Sequence, residues 1–413
     1  MPNLIDITRR MTETPPLAFL QEERCLPERD LTATCARCAE VCPVDAIVVG
    51  RSAGNSANPL VNSDPFSGPG SVVKEGPAGP RIDVEVCVRC GRCVVACPTG
   101  ALVAAPPCDD DTLLAEAARV GTAAVVRAAD GEGGAASEPI GEPAERVAGF
   151  ACERAARSAR IDAERVAVVP CLAWIDETLI VHAACAGAER VALLPAPCAS
   201  CEHAAAVAAL PHSVEQAQHI LDAWDVPCQA VWVEQGSAGL AAPLDAEAAG
   251  ELSRRGLFSQ ARAALADTAV EAAKTQVEAL VGQSSKHPSP NQDPDRRRWQ
   301  LLDDLHAFGL PDAHAVVPRC VAPRVSIEVE HCSGCALCAE FCPTGALHKA
   351  GKATGGGTLL EFDAALCRDC GVCSDTCRYG ALECTETLTV DELFALEPRT
   401  LAIPKRRLVP NRR

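Results

Sequence analysis

The sequence predicts an α+β module at each end of the chain, an α/β parallel-sheet domain between them and a helical linker. Three observations carry this. Cysteine runs of fixed spacing recur near both termini, short continuous apolar runs alternate with Ala-rich stretches between about 118 and 240, and residues 241–320 have neither feature. The 413 residues include 25 cysteines, and a chain this long buries a sizeable core without disulfide staples. In a reducing compartment such thiols stay free unless a metal takes them, so the count points to metal chemistry. A formal net charge of −17 argues against a nucleic-acid partner. No run of 18 apolar residues occurs, no hydrophobic stretch follows Arg9-Arg10, and the mid-chain Arg254-Arg255 pair leads into an Ala-rich amphipathic stretch. The expectation is a soluble cytoplasmic protein with no transmembrane segment.

The first module contains Cys87-x2-Cys90-x2-Cys93-x3-Cys97-Pro98, preceded by Cys35-x2-Cys38-x3-Cys42-Pro43. The last module contains Cys332-x2-Cys335-x2-Cys338-x3-Cys342-Pro343 and Cys367-x2-Cys370-x2-Cys373-x3-Cys377. Three closely spaced thiolates can wrap one face of an iron–sulfur cube while the fourth points to a second cube; zinc needs only two pairs. The run at Cys35 lacks its first cysteine, since Thr32 stands there. An apolar–polar pair precedes each complete run at a constant offset (Ile82-Asp83, Ile327-Glu328, Phe362-Asp363), and Leu20-Gln21 precedes Cys25 in the same way. Cys25 is therefore the expected missing ligand, displaced by an insertion from Leu26 to Thr32 that a surface loop can absorb. The alternative is a three-cysteine site, holding a 3Fe–4S cluster or using Asp30 as an oxygen ligand.

On these motifs, residues 17–104 and 325–386 each resemble a bacterial two-cluster ferredoxin, which makes 17–110 and 321–390 ferredoxin-like dicluster modules. The resemblance implies that the fourth cysteine of each run serves the other cluster. It thus implies four 4Fe–4S clusters, held by Cys25, Cys35, Cys38 and Cys97; by Cys87, Cys90, Cys93 and Cys42; by Cys332, Cys335, Cys338 and Cys377; and by Cys367, Cys370, Cys373 and Cys342. Arg378 follows Cys377 where the other runs have proline, which predicts a less rigid last turn. Between the runs a hairpin is expected, from Ala46–Val49 and Arg81–Asp83 around a long loop over 50–80, and from Ala346–His348 and Leu359–Phe362 around Gly355–Gly357.

In the middle domain, 118–240, five strands are expected at Thr122–Val126, Arg146–Phe150, Val166–Val169, Val191–Leu194 and Gln229–Val233, with a loop over Glu132–Pro143. This is a parallel, flavodoxin-like sheet. Just beyond the second, third and fourth strands come Cys152, Cys171, and Cys198 with Cys201, and the carboxyl ends of parallel strands gather at one edge. The stretches Phe150-Ala151-Cys152, Val169-Pro170-Cys171, Trp174-Ile175-Asp176 and Cys198-Ala199-Ser200-Cys201-Glu202-His203 resemble the small iron–sulfur delta subunit of methyl-viologen-reducing hydrogenases. The resemblance implies a 2Fe–2S cluster at the four cysteines, with zinc as runner-up. Two departures are Ala155, where that family has a second cysteine, and a closer last pair. His182 and His203 are read as surface or core histidines, and Asp176-Glu177 as a helix start.

The linker, 241–320, is expected to hold a helix from Arg254 to Leu280, a break from Gln283 to Asp295 and a short helix from Trp299 to Phe308. Residues 391–413 form a basic tail, solvated or docked on an acidic partner, with six basic side chains after Glu397. Cys108, Cys185, Cys228, Cys320 and Cys384 have no partner at ligand spacing and are read as structural.

No dinucleotide fingerprint, phosphate loop, Ser-His-Asp order or HExxH is present. The expected function is an electron-transfer subunit that relays single electrons between partner oxidoreductase subunits, such as a hydrogenase, a formate dehydrogenase, a molybdopterin enzyme or a heterodisulfide-reductase-type protein. The competing expectations are a thiol/disulfide oxidoreductase using Cys198 and Cys201 and an iron–sulfur storage or assembly protein.

Overall fold

The computed structural model describes residues 18–29, 35–50, 79–105, 108–130, 146–158, 161, 163–196, 198–201, 203–232, 295–353, 356–395 and 398–403. Asp30 and Thr32, the loops expected over 51–78 and Glu132–Pro143, Val233, the helix expected from Arg254 to Leu280, the break up to 294, and 404–413 lie outside these residues.

The first module is built on two short antiparallel pairs. β1 (Ala18–Leu20) pairs with β4 (Leu102–Ala104), and β2 (Ile47–Val49) pairs with β3 (Pro80–Ile82). Helices Arg37–Glu40 and Arg92–Val95 follow the clustered cysteines. With so few residues per element the apolar core is small: Ile47, Cys93 and Leu102 are buried, with Leu20, Ile82 and several cysteines packed round them.

In the middle domain β5 (Val147–Cys152), β6 (Val166–Val169), β7 (Arg190–Leu194) and β8 (Gln229–Trp232) form a parallel sheet in the order β6-β5-β7-β8. Every residue of β5 is buried, as continuous apolar strands under helices require. The chain runs from β5 to one neighbour and then crosses to the other, so the carboxyl edge between β5 and β7 is the switch point of the sheet.

Two elements differ from expectation. Thr122–Val126 is not a strand but part of the helix Asp110–Asp130. Leu113, Leu114, Ala117 and Val120 repeat at three- and four-residue intervals and are buried, so a 3.6-residue period runs through the segment and overrides the short β-like run. Gly121 lets this helix lie against the helix Glu177–Cys185, since a Cβ there would stand 2.3 Å from the Ala183 carbonyl oxygen. The second difference concerns the helix Arg296–Ala307, expected as part of a linker. It is packed into the core, with Leu301, Leu302 and Leu305 buried.

The last module repeats the plan of the first. β9 (Arg324–Ile327) pairs with a later strand, β12 (Leu382–Thr385), around the hairpin of β10 (Leu347–Ala353) and β11 (Gly357–Phe362). The tail is not wholly solvated: β13 (Arg399–Ile403) adds to the hairpin antiparallel to β11, and Ile403 is fully buried. The apolar core of the middle domain continues without a break into this module. The turn after Cys377 closes like its counterpart despite lacking proline. Gly380 N donates to the Cys377 carbonyl at 3.1 Å, and Gly100 N to the Cys97 carbonyl at 3.2 Å.

Candidate metal centres

The backbone sets each cysteine loop before any side chain is considered. In the complete runs the middle cysteine stands between two residues with left-handed φ: Arg89 and Gly91 around Cys90, Gly334 and Ala336 around Cys335, Asp369 and Gly371 around Cys370. Such turns aim successive N–H groups into a concavity that suits negative charge. After Cys35 the pattern breaks, because Ala36 has φ −135°.

The folded chain gathers the cysteines into five sets. In set 1, burial pushes the Cys25 thiol up to about 12, and the nearby Cys97 and Cys38 thiols add to the rise. Cys38 is raised to about 11 by burial, then by Cys97 and Cys35. In set 2, burial raises Cys90, and Cys42 and Cys87 push the same way; Cys93 is raised by burial and by Cys90 and Cys87. Set 3 is the middle group: burial raises Cys171 to about 12, with Cys152 and Cys201 among its neighbours, and Cys198 faces Cys152 and Cys201. In set 4, Cys338 is raised to about 12 by burial and then by Cys332, with Cys335 and Cys377 also near. In set 5, burial raises Cys367 to about 12, with Cys370 and Cys342 adding. Cys97 and Cys42 each lie within electrostatic reach of the other run of the first module, and Cys377 and Cys342 of the other run of the last, as a crossed pairing would require.

A thiolate acceptor is also provided for. Cys42 accepts from Ala46 N at 3.2 Å, Cys97 from Ala101 N at 3.2 Å, Cys342 from Leu347 N at 3.4 Å and Cys377 from Ala381 N at 3.3 Å. Bonds to sulfur stabilise the charged form that metal binding requires and tune cluster potentials. Desolvated thiols raised this far stay protonated and weakly nucleophilic until a metal takes them. A tetrahedral zinc site holds four sulfurs about 2.3 Å from one ion; among the described residues no three His, Cys, Asp or Glu side chains form a group fit for a single metal ion.

Set 3 lines a cavity of about 620 Å³ at the carboxyl edge of the sheet, with Arg154, Arg157 and His203 in its wall. Arg154 donates to the Ser200 carbonyl and hydroxyl, which braces the Cys198–Cys201 turn. Asp176 caps the helix Glu177–Cys185 through Leu179 N, as expected, and is also tied to Arg297 at 2.6 Å. His182 is held by Asp304 at 2.9 Å, in a structural pair.

Of the leftover cysteines, Cys108 and Cys228 are buried, Cys185 lies against Asp304, and Cys320 is raised to about 12 by burial and the nearby Glu177. Cys384 differs from the expectation of a partnerless cysteine. The Cys373 thiol donates to its sulfur, which pulls Cys384 down to about 6 and pushes Cys373 up. Sequence spacing could not reveal this, because β12 delivers Cys384 from outside the cysteine run.

A family model described as a 4Fe-4S dicluster domain matches residues 33–101 and 326–382, together under a third of the chain. Cys25 lies outside the matched stretch. No curated protein matches the chain. The matched segments are iron–sulfur dicluster domains, which supports an electron-transfer role, and among the described residues no helix is long and apolar enough to cross a membrane.

Proposed function

We propose that the chain is a cytoplasmic electron-transfer subunit carrying four 4Fe–4S clusters and a 2Fe–2S cluster, and that it relays single electrons between partner oxidoreductase subunits. The observation that carries the reading is the crossed grouping of sixteen cysteines into sets 1, 2, 4 and 5, each furnished with hydrogen bonds to sulfur. Each bound cluster takes up and returns one electron; the protein's part is to bury the thiolates, donate to their sulfurs and bring the sets together. Set 1 includes Cys25 in this reading, because its thiol faces Cys38 and Cys97. Set 3 takes the 2Fe–2S cluster, and its position at a sheet switch point is in keeping with a flavodoxin-like domain resembling the hydrogenase delta subunit. The partners are redox subunits of the hydrogenase, formate dehydrogenase, molybdopterin or heterodisulfide-reductase type.

The domains proposed are modules at 17–110 and 321–390 around the α/β domain at 118–240, with 241–320 connecting and 391–413 as the C-terminal extension. The thiol/disulfide alternative at Cys198 and Cys201 is disfavoured by burial, which raises the Cys198 thiol when an attacking thiol needs the opposite. Anaerobically purified protein is expected to hold about 16 to 18 iron atoms per chain and to give interacting cluster EPR signals on reduction. Iron of about 8 or fewer overturns the reading. Cys25→Ala should convert or remove the cluster of set 1 alone; an unchanged spectrum removes Cys25 from the set.

A further inference from the structure

We infer that the five thiol sets stand in single file, in the order set 3, set 2, set 1, set 5, set 4, because the two end modules are joined through sets 1 and 5 and the middle domain meets the first module at set 2. The inference rests on the cluster-bearing function above and adds the order of the centres.

The junction of sets 3 and 2 is a packed contact. Cys171 of set 3 leads directly into the turn Leu172–Trp174. Trp174 is fully buried, and its indole nitrogen donates to the Arg89 carbonyl, beside Cys90, at 3.2 Å. The Trp174 ring lies so close over Gly91 that a Cβ there would stand 2.1 Å from it. Cys171 and Cys90 are also within electrostatic reach of each other.

The junction of sets 1 and 5 is polar. Arg29, four residues after Cys25, donates to the carbonyls of Glu340 at 2.8 Å and Cys342 at 3.2 Å, and Cys342 belongs to set 5. Beside it, Asp295 holds Arg24 of the first module at 2.8 Å and Arg368 of the last at 3.1 Å. Arg24 precedes Cys25 and Arg368 follows Cys367, so one carboxylate clamps the residues adjoining both sets. Arg368 also lies in the field of Cys97 of set 1.

The two ends of this order are open to solvent. Set 3 borders the cavity beside Arg154 and Arg157, and at the other end Cys335 of set 4 is exposed. Arg29 and Arg368 are positioning residues: they fix the approach of two sets and ligate nothing.

The test uses the full, iron-loaded chain and the dipolar coupling between reduced clusters in pulsed EPR. In a Cys198→Ala background that removes set 3, the double variant Cys90→Ala/Cys335→Ala keeps sets 1 and 5, and Cys38→Ala/Cys370→Ala keeps sets 2 and 4. The first is expected to show a dipolar splitting several-fold larger than the second; equal splitting, or a larger one in the second, overturns the order. Should either double variant fail to fold, Arg29→Ala leaves every thiol in place. It is expected to keep the wild-type iron content and lose most of the coupling between modules, whereas an unchanged spectrum at full iron content overturns the inference. Low iron in the wild type would instead sink the proposed function, so the two failures are distinguishable.

Discussion

At Gly91 the backbone has φ +80° and the Trp174 ring fills the space a side chain would need. Gly91→Ala therefore meets both a left-handed backbone and a buried aromatic wall that cannot swing aside. It is expected to cost about 2–4 kcal/mol in thermal or denaturant unfolding, and a wild-type midpoint would contradict the packed junction. Ala336 takes a similar conformation, φ +61°, with its Cβ retained, which shows how firmly the loop around Cys335 imposes its shape. Glu177 is a different kind of residue-scale constraint. Burial pushes its carboxyl up to about 7 from an ordinary 4.5, and the Asp176 charge adds to the rise. A folded-state pKa raised in this way means the folded chain keeps a proton that the unfolded chain has released, so stability falls as pH climbs from about 4.5 to about 7. Glu177→Gln should flatten the fall in thermal midpoint between about pH 5 and about pH 7; a slope equal to the wild type's would show that Glu177 is not the group responsible.

Among the elements, the helix Arg296–Ala307 ties the most pieces together. Arg297 reaches Asp110 and Asp176, each at 2.6 Å, and so joins two helices of the middle domain. Burial works against its charge, but the two carboxylates more than offset this and hold its pKa above the usual value. The next residue, Arg298, donates to the backbone carbonyls of Val321, Ala364 and Ala365 in the last module. Arg297→Ala leaves two carboxylates facing each other without their cation, and removing one partner of a buried ion pair costs about 3–5 kcal/mol. Denaturant unfolding with a loss under about 1 kcal/mol would show the pair to be solvated rather than buried. The sequence shows a short helix here but not its importance, because the two carboxylates that hold Arg297 lie more than a hundred positions away. Strands β5 and β7 were legible for the opposite reason, since burial on both faces leaves a continuous apolar run. The run Thr122–Val126 misled because a short apolar stretch carries no period of its own until Leu113 to Val120 are read with it.

Across the whole molecule, the middle domain and the last module share one core, which Cys90 and Ala104 of the first module also join, while the rest of the first module has only a small cluster of its own. The first module must therefore lean on its metal sites and its junctions. Stripping iron with a chelator should release amide protection at β2 and β3 first, while β5 and β7 stay protected; simultaneous loss in hydrogen exchange would contradict this hierarchy. The cysteine spacing alone determined the dicluster modules and their cofactor class, because three of a cube's four ligands in a complete run come from one short loop whose geometry is written in consecutive residues. That Cys25 lies near Cys38 and Cys97 was foreseeable from the apolar–polar pair before it, and that Cys152, Cys171, Cys198 and Cys201 lie together from the apolar runs they follow. Only the tertiary structure decided how the sets lie relative to one another, that Cys384 reaches Cys373, and that Arg29, Asp295 and Trp174 stand at the junctions. Those contacts join residues far apart in the chain, and no local period or spacing records them, because they exist only once separately folded surfaces have packed.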